Sequence, residues 1–288
     1  MKTIAFLSNK GGVGKSTSAS TVASCIAKKG YKVLVIDLDP QGNTSNLYSK
    51  INVLNYLENI LQGKTQVLGK SVEDLLLNPS ENIHNCIQST DFKNVELIPA
   101  YLTLSEAEER IKADIRNPQQ FRLKNHLQKI NKEYDYCIID CAPSVSITNI
   151  NGLAACNEVY VPMRADAWSV LGMCITKNLI QTVQQYSPDL KFEACYFTQW
   201  DNKRKSFNKQ IYGLVKEQIP ELLPIRIGLT RLVDKTTYEQ MPLPEYDNGK
   251  RKSKVTEQYE LLTEYILSND RKQFREKLNY LEDEFQEE

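Results

Sequence analysis

The segment that most restricts how this chain can fold is Asn9-Lys10-Gly11-Gly12-Val13-Gly14-Lys15-Ser16-Thr17. It separates an apolar run suited to a strand, Thr3 to Ser8, from a stretch of helical period, Ser16 to Lys29, on which Ala19, Val22, Ala23 and Ile26 share one face and after which Gly30 supplies a stop. A glycine-rich turn between strand and helix is the context of a phosphate-binding loop. Its glycines let backbone N–H groups turn inward, and the helix N-terminus adds its positive dipole end. Lys15 is then placed as a point charge for the β and γ phosphates, and the Ser16 hydroxyl for Mg²⁺. With glycine at roughly 7% of residues, a chance match to such a pattern in this length is on the order of one in ten thousand, which sets aside a plain glycine turn.

Apolar runs bounded by polar turns recur at Lys32 to Asp37, Val95 to Pro99, Tyr136 to Asp140, Glu158 to Pro162 and Phe192 to Thr198. Helical periods fall near Ser105 to Ile115, Pro118 to Ile130, Ile147 to Cys156, Trp168 to Tyr186, Phe207 to Gln218 and Val255 to Leu267. The alternation predicts an α/β fold, a mostly parallel twisted sheet flanked by helices, with strands buried on both faces. Segment 44–93 has weak periodicity and stays unplaced.

Two apolar strands end in carboxylates. The run Val33 to Ile36 leads into Asp37-Leu38-Asp39-Pro40-Gln41-Gly42, and Cys137 to Ile139 leads into Asp140-Cys141-Ala142-Pro143. Carboxyl edges of parallel strands are where such sheets bind ligands. Downstream of a phosphate loop, an apolar strand ending in Asp140 is the form that holds Mg²⁺ through water.

Lys10 ahead of the glycines and the absence of an opening glycine make Lys-Gly-Gly-Val-Gly-Lys-Ser-Thr resemble the deviant Walker A loop of P-loop NTPases of the ParA/MinD superfamily. Val95-Glu96-Leu97-Ile98-Pro99-Ala100, Asn151-Gly152-Leu153 and Glu158-Val159-Tyr160-Val161-Pro162-Met163 are also similar to ParA order. The resemblance spans roughly residues 3–175 and, more loosely, continues to about 268. It implies a ParA-like ATPase domain over 1–268, with 269–288 as an acidic helical extension. It also implies ATP and Mg²⁺ as ligands, with Lys10, Gly11, Gly12, Val13, Gly14, Lys15, Ser16 and Thr17 binding nucleotide. Lys10 is expected to reach a partner subunit's phosphates across a homodimer, Asp39 to orient the attacking water, and Asp37 to support Mg²⁺ from behind its direct ligands. The family's second proline is replaced by Ala142. The turn Ile225 to Arg231 lacks the Pro and Asn that lie near adenine in the family, so base contacts do not carry over.

The 36 basic and 36 acidic residues cancel, so a nucleic-acid surface has to be local. From 201 to 254, twelve Lys or Arg face seven Asp or Glu. Lys203, Arg204 and Lys205 precede a helix, Arg231 and Lys235 fall in an expected turn region, and Lys250, Arg251 and Lys252 lead into the next helix. The resemblance implies DNA binding without sequence preference through such residues. The seven cysteines, with no C-x-x-C pair, read as buried reduced thiols, and Cys141 as structural rather than a cluster ligand. The N-terminal apolar run is far short of a signal peptide or membrane span, and Leu281-Glu282-Asp283-Glu284-Phe285-Gln286-Glu287-Glu288 is too acidic for a MinD-like membrane helix. A cytoplasmic, nucleoid-associated protein without a membrane partner is expected. Phe274, Leu278, Leu281 and Phe285 recur at helical spacing, as in a helix packed on the body.

Together these readings lead to a dimerising ATPase that binds DNA non-specifically and partitions plasmid or chromosomal DNA. Its slow hydrolysis is stimulated by a ParB-like or centromere-binding adaptor. The alternative is a ParA-like positioning or regulatory ATPase with a non-DNA cargo.

Overall fold

The computed structural model describes residues 1–49, 58, 61, 62, 69–247 and 252–282. Its strands are β1 (Lys2–Phe6), β2 (Val33–Leu38), β3 (Gln88–Ser89), β4 (Val95–Ile98), β5 (Tyr136–Cys141), β6 (Glu158–Met163), β7 (Lys191–Trp200) and β8 (Leu222–Gly228). They form one sheet in the order β3-β4-β2-β5-β1-β6-β7-β8. Every pairing is parallel except that of β3 with β4. The six expected strands are all present within two residues at either end. β3 and β8 carry no clear strand signal in the sequence, and β8 includes residues 225–228 of the expected turn.

The helices relevant below are α1 (Lys15–Lys28), α2 (Asn43–Tyr48), α3 (Val72–Leu77), α4 (Leu104–Ala113), α5 (Arg122–Lys129), α6 (Ile147–Ala155), α7 (Ala167–Gln184), α8 (Lys205–Gln218), α9 (Leu232–Tyr238), α10 (Leu243–Tyr246), α11 (Lys254–Leu267) and α12 (Arg271–Lys277). Arg231 and Lys235 therefore cap and enter a helix rather than a turn. The period had been obscured because only Thr236 of α9 is buried. In the unplaced segment α2 and α3 form, and α3 starts with a capping box of Ser71 and Asp74.

Strand residues alternate between two cores. Ala5, Leu34, Ile36, Ile139 and Val159 face the layer that contains α4 to α8. Ile4, Phe6, Val33, Val35 and Ile138 face α1 and α11. Burial on both faces is the physical reason for the near-continuous apolar runs. Leu278 is buried in the second core, with Phe274 and Leu281 packed at its margin, so the segment from 271 to 282 docks on the body. Phe285 lies outside the described residues.

Candidate functional site

The carboxyl ends of β1, β2 and β5 meet at one edge of the sheet. Asp37 and Asp140 are opposite each other in register on β2 and β5, and Phe6 pairs with Asp140 from the other side. The phosphate loop leaves β1 at that point. Gly12 and Gly14 have φ of 68° and 79°, a region that a side chain makes strained. Two groups not singled out from the sequence fasten the loop: Thr198 Oγ1 donates to the Val13 carbonyl at 2.7 Å, and Gln199 Nε2 to the Gly12 carbonyl at 2.7 Å. Because a peptide's C=O and N–H point opposite ways, holding these carbonyls outward turns the N–H groups of Val13 and Gly14 the other way, as an anion cradle needs.

Lys15 is 6% exposed and rests on the Lys10 carbonyl at 3.2 Å, a neutral partner rather than a carboxylate. Burial pushes its pKa down, while the charges of Asp140 and Asp39 work to hold it up. Thr44 Oγ1 donates to Asp140 at 2.8 Å, and the Ser16 hydroxyl lies close enough to help lower the Asp140 pKa. Asp140 is fully buried and its Oδ1 has no hydrogen-bond partner among the described residues. Burial pushes this carboxyl up to about 6 against the pull of Ser16, Thr44 and Lys15. An orphaned carboxylate oxygen beside a hydroxyl and a buried ammonium fits a small hard cation with its phosphate counter-charge.

The two aspartates of β2 differ. Asp37 accepts from the Asp39 N–H at 2.9 Å and from the Ser45 N–H and Oγ, both at 2.8 Å. Burial and the charge of Asp140 raise its pKa, and those three donors work against the rise. Its oxygens bind the following loop, so its visible work is to fasten that loop. Asp39 accepts from the Gln41 N–H and lines the cavity over the phosphate loop. This cavity holds about 380 Å³ between Gly11, Lys15, Asp39, Asn43 and Pro143. After β5, Asn149 secures the turn containing Ala142 by accepting from the Ala142 N–H and donating to the Ala142 and Ser144 carbonyls.

The rim that carries Lys10 is held by α7. Asn9 N–H donates to Thr176 Oγ1 at 2.9 Å, and a Cβ at Gly172 would stand 3.0 Å from Lys10 Cβ. Beside this contact Trp168, Leu171 and Ile175 are exposed on α7, at 71%, 50% and 36%. Cys174 on α7 is exposed as well, against the expectation of burial; the other six cysteines are buried, Cys141 among them.

A second cavity of about 520 Å³ adjoins the loop at Gly14 and Thr17. It is closed by Leu229, Thr230 and Arg231 after β8 and by Tyr259 of α11. Lys203, Arg204, Lys205, Arg231, Lys235 and Lys252 are all exposed. Lys203 and Arg231 border adjoining cavities around Leu229. Lys252 is paired with Glu260 at 2.7 Å. Lys250 and Arg251 lie outside the described residues. Among the described residues no helix is long and apolar enough to cross a membrane.

The model of the AAA domain family matches residues 1–192. The chain is 32% identical over 205 residues to the chromosome-partitioning ATPase Soj of Treponema pallidum, covering 71% of this chain and 74% of that protein. Among solved structures, a putative plasmid partition protein of Borrelia burgdorferi bound to AMPPNP is 27% identical, with a TM-score of 0.69 over 92% of this chain and 98% of that one. Cobyrinic acid a,c-diamide synthase of Mycobacterium smegmatis, with bound ATP analogue and magnesium, is 25% identical, with a TM-score of 0.73 over 94% and 98%.

Proposed function

Since the chain belongs to the ParA-type partition ATPases of the ParA/MinD superfamily, we propose that it is an ATP-driven dimer that binds DNA without sequence preference and uses hydrolysis to leave it. It is an ATPase with ATP and Mg²⁺ as its ligands. The observation that carries the dimer is the rim: α7 packs against Lys10 at the start of the phosphate loop, next to exposed Trp168, Leu171 and Ile175. A second copy would cover that apolar stripe and receive the lysine.

Within one subunit, Lys15 and the loop N–H groups neutralise the triphosphate. Asp39, at the end of β2 and inside the cavity, orients the attacking water. Ser16 and Asp140 hold the cation, and Thr44 keeps the Asp140 carboxylate in place. Mg²⁺, when bound, offsets the charge that develops on the phosphoryl oxygens. Asp37 and Asn149 position the two loops that sense the nucleotide, through their hydrogen bonds to residues 39 and 45 and to residues 142 and 144. Lys203, Arg204, Lys205, Arg231 and Lys235 supply phosphate contacts, with Lys250, Arg251 and Lys252 as further candidates. A ParB-like adaptor sets the rate.

The test is DNA binding and sedimentation with ATP against ADP at low and high salt. Lys10→Ala is expected to lose both the ATP-dependent dimer and DNA binding. Asp39→Ala is expected to keep both while turnover stops. DNA binding that ignores the nucleotide, with turnover unchanged in both variants, would falsify this reading and favour a non-DNA cargo.

A further inference from the structure

Two cations stand at the rim where β1 and β6 end. These strands are neighbours in the sheet, and their register closes at Phe6 and Tyr160. Lys10 and Arg164 each lie four residues further on, the first in the phosphate loop and the second in the turn that enters α7. The backbone of that turn is fixed from three directions. Thr198 Oγ1, which holds the Val13 carbonyl at 2.7 Å, also reaches the Met163 carbonyl at 3.2 Å. The Asp166 N–H donates to the Arg164 carbonyl at 2.8 Å, and the Asp166 carboxylate caps α7 by accepting from the Ser169 N–H at 2.9 Å and Oγ at 3.2 Å. The Arg164 side chain, in contrast, is 44% exposed, and its carboxylate partner among the described residues is Asp166, 3.6 Å from Nε and already engaged by Ser169. Trp168 and Leu171 follow it on α7, exposed as well. A second copy that covers those two takes Arg164 out of water with them, and a cation so buried needs a full anionic partner. The anion such a copy brings to this rim is its own bound triphosphate.

We propose that Arg164 is a catalytic residue for the partner subunit's nucleotide: it crosses the dimer beside Lys10 and sets its guanidinium on the phosphate oxygens of the ATP held there. As the oxygen of water bonds to the γ-phosphorus, the bond from that phosphorus to the β,γ-bridging oxygen breaks. The electron pair of that bond leaves with ADP, and the water proton is released to solvent. The guanidinium offsets the charge on the bridging and γ oxygens, which its planar fork of donors can meet together. In a two-fold dimer each subunit gives one such arginine and receives one. This role rests on the dimer reading given above.

ATP turnover and sedimentation with a non-hydrolysable ATP analogue test it on the full chain, on Arg164→Ala and Arg164→Lys, and on an equal mixture of Arg164→Ala with Asp39→Ala. Turnover is expected to fall about thirtyfold or more in Arg164→Ala and to recover little in Arg164→Lys, since a point charge does not replace the fork. The nucleotide-dependent dimer is expected to persist in both. In the mixture, random pairing joins about half of the subunits into mixed dimers, where the Arg164→Ala subunit keeps its Asp39 and receives an arginine from its partner. About a quarter of the parent rate should therefore return from two inactive proteins. Turnover of Arg164→Ala within about threefold of the parent overturns the role. A mixture that stays inactive although both variants dimerise overturns delivery by the partner, and loss of the dimer together with turnover in Arg164→Ala overturns catalysis in favour of an interface contact. A parent that remains monomeric with the analogue removes the dimer reading and this role together, whereas a dimeric parent with an active Arg164→Ala removes the arginine alone.

Discussion

The two edges of the sheet handle buried charge in opposite ways. At the carboxyl edge Asp37 and Asp140 stand side by side on β2 and β5, both fully buried, and burial raises the pKa of each. At the amino edge Glu158, also buried, meets Arg271 through two hydrogen bonds of 2.8 Å and Lys2 at 2.9 Å, while Arg271 reaches Glu193 at 3.0 Å. Burial works against the Glu158 charge, yet Arg271 and Lys2 outweigh it and hold the carboxyl below its ordinary value. Both edges bury acid in the same fold, but at the carboxyl edge the one cation close by, Lys15, rests on a backbone carbonyl and does not outweigh burial at Asp140, whereas at the amino edge Arg271 and Lys2 pair directly with Glu158. The edge left unmatched is the one where the phosphate loop waits for a ligand, which is how a site spends stability on function.

The contrast can be broken or sharpened by substitution. The largest effect is expected at the phosphate loop: Lys15→Ala should lower ATP turnover by about a thousandfold or more, since a charge meant for the transition state is removed, while thermal unfolding of the nucleotide-free protein barely changes. At the opposite edge, Arg271→Ala should cost about 3 kcal/mol in urea unfolding by leaving buried Glu158 with Lys2 alone and half-buried Glu193 without its arginine, and turnover per folded molecule should hold.

Neutralising one acid at each edge should move stability in opposite directions. Glu158→Gln is expected to destabilise by about 2 kcal/mol at neutral pH. The depressed carboxyl contributes stability above its ordinary value of 4.5 that is lost as pH falls through the lower folded value. Parent and variant should therefore converge in unfolding experiments as pH falls below 4.5 through the lower folded value. Asp140→Asn, measured without nucleotide or magnesium, is expected to stabilise by about 1–2 kcal/mol at neutral pH. A carboxyl raised to about 6 is least costly when protonated, so that gain should fade as pH drops from about 6 toward 4. If both neutral variants shift stability in the same direction, the two edges are not opposites. The smallest change is Gly172→Ala, where a helix-favouring residue meets a close contact with Lys10. Its net effect on unfolding should stay under about 1 kcal/mol, whereas sedimentation should detect weaker ATP-dependent dimers.

Six strands and the position of the phosphate loop were legible because strands covered on both faces must be apolar throughout, and because glycines at positive φ leave few alternatives. β8 was hidden by Pro224 and Arg226 within its run. Arg226 is tolerated there because its guanidinium lies over the Trp200 ring at 5.7 Å and donates to the Leu281 carbonyl. Helices α2, α9 and α10 were too short for a period to emerge.

Among the candidate site residues, Lys15, Ser16 and Asp140 could be named from local spacing, because strand, loop and helix follow one another within a few residues, while Lys10 and Asp39 were named through the family resemblance. Thr44, Asn149, Gly172, Thr176, Thr198 and Gln199 could not. Each acts on the site through one to three contacts, and most do so from far away in the chain: Thr198 is 185 residues from the carbonyl it holds, and Thr176 is 167 from its donor at Asn9. Nor could order along the chain separate Asp37 from Asp39, two acids on one strand end that diverge once Ser45 folds back onto the first. Local chemistry sufficed where bonded neighbours do the work. Where the work depends on which strand lies beside which, only the folded sheet, with its order β2-β5-β1-β6-β7, brought the partners together.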